Sequence, residues 1–177
     1  RVLAAAGRVD VVVNNAAFGI GGAIEDTSIA EAKALFETGF FGMLRVVRAV
    51  LPSMRARRSG CIVNVSSLAG RLALPYQGLY SAAKFAIEGA SDALRMEVAP
   101  FGVRVVVVQP GDVATGFTAS RREASGAGEG SVYRDAYRRV LAAVERDEHA
   151  GVPAADVARC IRGIVENPSP RTRYSVG

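Results

Sequence analysis

The sequence predicts an α/β fold built on a mostly parallel sheet. Three observations predict it. Valine-rich runs recur at VDVVVNNA (9–16), CIVNVSS (61–67) and VRVVVVQP (103–110), and each reads as a strand buried on both faces. Segments with apolar residues at helical spacing lie between them, over about 28–57 and 79–98, which makes strand–helix–strand units. Each run also ends on polar or turn-forming residues: Asn14-Asn15, Ser66-Ser67 and Gln109-Pro110-Gly111. Ligands bind such sheets beyond the carboxyl ends of the strands, so the three polar ends are expected to face one crevice.

Taken in order, the first strand gives way to the loop FGIGGAIEDT. Ser28-Ile29-Ala30-Glu31 is a capping box: the hydroxyl and the carboxylate each satisfy an amide that the helix start leaves free. It opens a helix whose apolar stripe is Phe36, Phe40, Leu44, Val47, Leu51 and Met54, and Ser59-Gly60 ends it. After the second strand, a loop with Gly70 and Pro75 leads into the second long helix, which Pro100 and Gly102 break. The third strand runs into GDVATGFTASRREASGAGEG (111–130), whose composition reads as a mobile loop or lid. Helical spacing returns at about 131–147 and 153–166, the latter with Pro153 near its start, and RTRYSV (171–176) reads as a last strand. No repeat and no linker interrupts the pattern, so residues 1–177 form one domain.

Composition narrows the function. A chain of 177 residues that is 50% hydrophobic and 22% charged fits a globular domain with a sizeable core. No run of about 18 apolar residues would span a membrane, and no signal-peptide pattern opens the chain. Cys61 and Cys160 make no disulfide framework, so a cytoplasmic setting is the default. His149 is the only histidine and sits in the polar run ERDEHAG, which argues against a histidine triad or a multi-histidine metal site. The net charge is +5, but the arginine runs at 55–58, 121–122 and 138–139 punctuate helices without interleaved aromatics, so solvated faces are expected, not a nucleic-acid surface.

Tyr80 and Lys84 lie one turn apart on one face of the second helix. A surface Tyr–Lys pair is ordinary, and the rest of the chain has to decide its meaning. Of 22 basic residues only Lys33 and Lys84 are lysine; the others are arginine, which points to a compact ammonium wanted at position 84. A cation near a phenol favours the phenolate, and a tyrosine so tuned can take a proton from an alcohol or give one to a carbonyl. Ser67, thirteen residues upstream at a strand end, can hold the same oxygen. With no metal ligands and no activated nucleophile in view, a hydride would have to come from a cofactor.

In this order, Asn14-Asn15-Ala16-Ala17, Ser67, Tyr80-x-x-x-Lys84 and Pro110-Gly111 followed by Thr115 resemble the short-chain dehydrogenase/reductase family. The segments SAAKFAIEG and APFGVRVVVVQPG look most like the branch that holds 17β-hydroxysteroid and retinol dehydrogenases. The resemblance implies a Rossmann-like, doubly wound sheet and an NAD- or NADP-dependent interconversion of a small-molecule alcohol and a carbonyl compound. It makes Tyr80 the acid/base and has Lys84 lower its pKa and bind the nicotinamide ribose. Ser67 would orient the substrate, and Asn14, Ala16, Pro110, Gly111, Val113 and Thr115 would line the cofactor. It also implies a homo-oligomer through the helices at 28–57 and 79–98.

The sequence departs from the family pattern in two places. FETGFFG (36–42) has Gly39 where the family usually places an asparagine that supports a proton relay. The family's Gly-rich turn after its first strand, with the pyrophosphate cradle it forms, is absent, as are the first three strands; the chain also starts without Met. The expectation is therefore the catalytic part of an oxidoreductase, with a non-catalytic remnant as the alternative. A nucleotide-sugar epimerase also carries Tyr-x-x-x-Lys, but the region after residue 111 is short for one. Without the first strands, Val9–Asn14 would present an unpaired apolar edge, so the chain by itself is expected to self-associate and to bind NAD(P) weakly.

Overall fold

Successive β-branched residues leave a strand no polar face, so it is stable only where both faces are covered. The computed structural model, which describes residues 2–177, meets that demand with a parallel sheet between helical layers. In chain order the elements are α1 (Val2–Ala6), β1 (Val11–Asn14), β2 (Ile20–Gly21), α2 (Ile29–Phe36), a π-helical turn (Glu37–Phe41), α3 (Gly42–Ala56) and β3 (Gly60–Val65). There follow α4 (Gly78–Val98), β4 (Val103–Pro110), β5 (Val113–Ala114), α5 (Phe117–Ser120), β6 (Arg122–Glu123), α6 (Arg134–His149), β7 (Val152–Pro153), α7 (Ala154–Glu166) and β8 (Arg173–Val176).

The main sheet has the order β1-β3-β4-β8, all parallel, with Val12 opposite Ile62, Ile62 opposite Val105, and Val107 opposite Arg173. Side chains alternate between its faces. Val12, Ile62 and Val105 meet Met43, Val47, Val50 and Met54 of α3 and Ile87 of α4 on one side. Cys61, Val63, Val106 and Val108 meet Ile164 of α7 on the other. Among the described residues β1 has a neighbour on one side only, and Val13 on it is 42% exposed, so the expected unpaired edge is present.

The capping box forms as expected: the Ser28 amide donates to Glu31 Oε2 at 2.8 Å and the Glu31 amide to Ser28 Oγ at 3.2 Å. The single long helix expected after it is interrupted. Residues Glu37–Phe41 form a π-turn, in which the Gly42 amide reaches back to the Glu37 carbonyl. The 111–130 stretch is also more ordered than a bare loop. β6 within it pairs with β2, β5 pairs with β7, and the Ser125 amide donates to Glu31 at 2.8 Å.

The turn between α4 and β4 needs its glycine. Gly102 has φ +69°, and a β-carbon there would stand 2.5 Å from the Arg58 carbonyl oxygen. The arginine runs serve the fold. Arg57 donates to the Val9 carbonyl, Arg58 to the Pro100 carbonyl at 2.8 Å, and Arg122 lies over the Phe18 ring, 4.2 Å from its centre.

Candidate active site

The carboxyl ends of β1, β3 and β4 open into one cleft of about 950 Å³. α4 begins beside it and supplies Tyr80 and Lys84 from successive turns. The Lys84 ammonium lies over the Tyr80 ring, 5.6 Å from its centre, and donates to the Val65 carbonyl at 2.9 Å. Lys84 is 4% exposed, and among the described residues one of its three N–H bonds is engaged by protein, which leaves the others for a ligand in the cleft that it lines. Ser67 follows β3. Its hydroxyl accepts from the Ala69 amide at 3.1 Å, caps a single 3₁₀ turn and lies 3.4 Å from the Pro110 carbonyl.

A lysine one turn away is expected to lower the phenol's pKa, yet here it is raised, to about 12. Burial is the chief cause; the Ser67 hydroxyl pulls it down, the Glu148 carboxylate pushes it up and Arg121 pulls it down. Burial also brings Lys84 down to about 8, against the opposing pull of Glu88. Each of the pair is thus shifted towards its neutral form by removal from water.

A second layer covers Tyr80. The ring of Phe117, at the start of α5, packs on it with centres 5.6 Å apart. Thr118 Oγ1 donates to Glu148 on α6 at 2.6 Å, and Arg121 forms an ion pair with the same carboxylate. These contacts tie residues 117–121 to α6 at the cleft, which Phe117, Ser120 and Glu148 line. The wall beyond Tyr80 is largely apolar, with Leu72, Leu74, Phe117 and Val144; Val157, Ala158 and Ile161 of α7 form another side.

Ser67, Tyr80, Lys84, Pro110, Gly111, Val113 and Thr115 all line this cleft, so the structure brings together the three expected catalytic residues and most of the expected cofactor set. Asn14 and Ala16 are not on its wall; Asn15 and Ala17 are. Strand alternation is the reason: Val13 and Asn15 point one way and Asn14 the other. Asn14 instead donates to Asn64 Oδ1 at 2.8 Å, Asn64 to Ser91 Oγ at 2.9 Å, and Ser91 to the Ile87 carbonyl at 2.6 Å, a buried chain that ties β1 through β3 to α4. The covering residues on α5 escaped the sequence reading because a four-residue helix carries no periodic signal, and Glu148 on the expected helix α6 did because nothing in its own segment marks the Thr118 and Arg121 that it meets.

Gly39 sits in the π-turn beside a small cavity that Ala17, Phe18, Tyr80 and Lys84 also line. A β-carbon at Gly39 would meet nothing within 4 Å. Gly39→Ala is therefore expected to stabilise the fold by about 0.5–1 kcal/mol, read as a higher denaturant midpoint at an unchanged slope. An unchanged or lower midpoint would mean that the π-turn itself requires glycine.

Among the described residues no group of three or more His, Cys, Asp or Glu side chains is placed to hold a metal ion. Among the same residues no helix is long and apolar enough to cross a membrane.

Comparison with known proteins gives a consistent picture. The family described as short chain dehydrogenase matches residues 1–126. The chain is 43% identical to a 3-ketodihydrosphingosine reductase of Bacteroides thetaiotaomicron over 177 residues, which is 100% of this chain and 66% of that relative. It is 37% identical to retinol dehydrogenase 8 of Bos taurus over 175 residues, 94% of this chain and 55% of the relative. Among solved structures, a short chain dehydrogenase/reductase from Burkholderia phymatum in complex with NAD superposes with a TM-score of 0.82 at 27% identity, covering 98% of this chain and 63% of that one. The chain thus spans about two thirds or less of the length of each of these proteins.

Proposed function

Because the chain belongs to the short-chain dehydrogenase family, we propose that it carries the acid–base half of an NAD- or NADP-dependent oxidoreductase that interconverts an alcohol and a ketone or aldehyde. One observation carries this reading: Ser67, Tyr80 and Lys84 converge in a cleft at the carboxyl ends of three parallel strands. The free N–H bonds of the buried Lys84 fit the hydroxyls of a nicotinamide ribose, and Pro110, Gly111, Val113 and Thr115 form the wall beside it. The residues present fit the nicotinamide end of such a cofactor. They include no Gly-rich strand–turn–helix for its pyrophosphate.

The bound cofactor supplies or accepts the hydride. The chain's own residues handle the proton. Ser67 donates a hydrogen bond to the substrate oxygen and holds it against Tyr80. Tyr80, kept protonated by burial, gives its phenolic proton to that oxygen as a carbonyl is reduced, and takes one back when an alcohol is oxidised. Lys84 stabilises the phenolate left behind. Leu72, Leu74 and Phe117 exclude water and favour a substrate with an apolar body. With the phenol's pKa near 12, reduction should be flat through neutral pH and fall only as Tyr80 ionises, whereas oxidation should rise with pH.

The test is a chimera that places a relative's Gly-rich strand–turn–helix ahead of residue 1. It is assayed for NADH and NADPH oxidation with apolar ketones and aldehydes. Turnover that Tyr80→Phe removes supports the proposal. Tight cofactor binding with no turnover on any carbonyl would favour the non-catalytic reading.

The same proposal extends to assembly. Phe85 on α4 is 45% exposed and Met96 68% exposed, and α3 adds Val46 at 41%. An apolar helix face of this kind pairs with its own copy across a two-fold axis. Sedimentation velocity should show a dimer at micromolar concentration, and Phe85→Glu with Met96→Glu should shift it to monomer. A monomeric parent protein would sink this part of the proposal.

A further inference from the structure

Glu88 continues the line of Tyr80 and Lys84 along α4, one further turn on. Its side chain is 8% exposed, and a buried carboxylate needs partners. It has two. Gln109 Nε2 donates to Glu88 Oε1 at 2.9 Å, and Arg173 Nε to Oε2 at 2.9 Å. Gln109 is the residue of β4 just before Pro110-Gly111, and Arg173 opens β8. The turn that follows Ser67 also rests here: a β-carbon on Gly70 would lie 3.2 Å from the Lys84 carbonyl oxygen and 3.3 Å from Glu88 Cγ. Glu88 is thus where the helix of Tyr80 and Lys84, the strand end at Pro110 and the turn after Ser67 meet.

Holding these parts together does not by itself require a buried charge, since a buried ion pair gives little net stability. Arg173 already pairs with the more exposed Asp92 at 2.5 Å. What a carboxylate at position 88 adds is negative charge one turn from an ammonium that, among the described residues, donates to a single protein acceptor. We propose that Glu88 is the positioning residue of the Tyr80–Lys84 pair, keeping the Lys84 ammonium charged in the interior and seating α4 against β4 and the Ser67 turn. Its catalytic meaning rests on the function proposed above; its effect on Lys84 does not. Burial drives Lys84 towards its neutral form, and Glu88 is the group that works in the other direction. The remaining charged or titratable groups here are Tyr80, Asp92 and Arg95 on α4, Arg173 on β8, and Arg121 and Glu148 facing Tyr80. The buried polar residues of β3, its end and β4 are Asn64, Ser66 and Gln109, and Ser67 opens the turn that follows; none of these four is charged.

The lysine content makes a direct test possible. With Lys33 and Lys84 the only lysines, protein labelled with ¹³C at lysine Cε gives two side-chain signals, and Lys33→Arg assigns them. The titration midpoint of Lys84 is followed by NMR on the full chain without cofactor. Glu88→Gln should lower it by about one unit. Arg173→Gln, which leaves the Glu88 charge less compensated, should raise it. If Glu88 were only a structural tie, its loss would let water in and move Lys84 upward, towards its ordinary value. A rise or no change in Glu88→Gln therefore overturns the proposal. Should that variant not fold, an unchanged or lowered midpoint in Arg173→Gln does the same. The expected shifts in a protein that transfers no hydride would refute the proposed function and leave the role of Glu88 standing.

Discussion

Tyr80→Phe is expected to reduce carbonyl reduction by about 10²–10⁴-fold in a cofactor-binding form of this protein, because it removes the proton donor and keeps the ring. The ring has structural work to do: it packs against Phe117 and beneath the Lys84 ammonium. Phenylalanine preserves both contacts, so binding of an apolar ketone should change little, and the loss should fall on kcat. Single-turnover measurement of NADPH oxidation checks this. Lys84→Arg should also be severely impaired, since a larger, planar guanidinium would replace the compact, buried ammonium that donates to Val65. Turnover like the parent's in either variant would remove the mechanism.

Lys84→Met is expected to lose activity and gain stability. The ordinary lysine value is 10.5 and burial brings Lys84 to about 8, so between these limits the unfolded chain binds more protons than the folded one. Stability contributed by this group therefore rises with pH from about 8 to 10.5, and the cost of the buried ammonium is fully present below about 8. Methionine, similar in length and apolar, escapes that cost. The variant should be more stable than the parent by roughly 2–3 kcal/mol at neutral pH, and the difference should close above pH 10.5. Tyr80 works with the opposite sign at higher pH in both proteins, so the comparison cancels it. Denaturant unfolding at neutral pH and near pH 10.5 measures both ends. A variant less stable than the parent at neutral pH would mean that the ammonium is not a burden on the fold, and that its partners more than offset its burial.

Much of this was legible because buried parallel strands advertise themselves. Val103–Pro110 and Ala154–Glu166 needed no tertiary information, and the polar residues closing the strands led to the cleft. The phase of a strand's end did not. Whether Asn14 or Asn15 faces the cleft depends on which side of β1 the helices cover, and that is decided by packing. The direction of the Tyr80 shift was missed for a related reason: sequence spacing brings a cation near, whereas burial under Phe117 and the lie of the ammonium on Val65 are properties of the assembled site. Glu88 carried no signal of its own, because a glutamate on a helix reads as solvated until Gln109 and Arg173 close over it.

The π-turn at Glu37–Phe41 has a consequence for how this helix tolerates insertions and deletions. Leu35 and Met43 are both buried, yet eight residues of regular α-helix would advance about 800° and leave them about 80° out of phase. A turn bonded i→i+5 takes up one residue more than an α-turn and removes most of that error. Deleting one residue, Thr38 for instance, would let the backbone close into an uninterrupted helix. The seven steps then left between Leu35 and Met43 advance about 700°, within about 20° of two full turns, so Leu35 would stay on the core side and Glu31 on the side of Ser125. The π-turn thus absorbs one surplus residue without changing which side chains on either side of it share a face. Loss of one residue at this point would straighten the backbone while keeping the same residues facing the core.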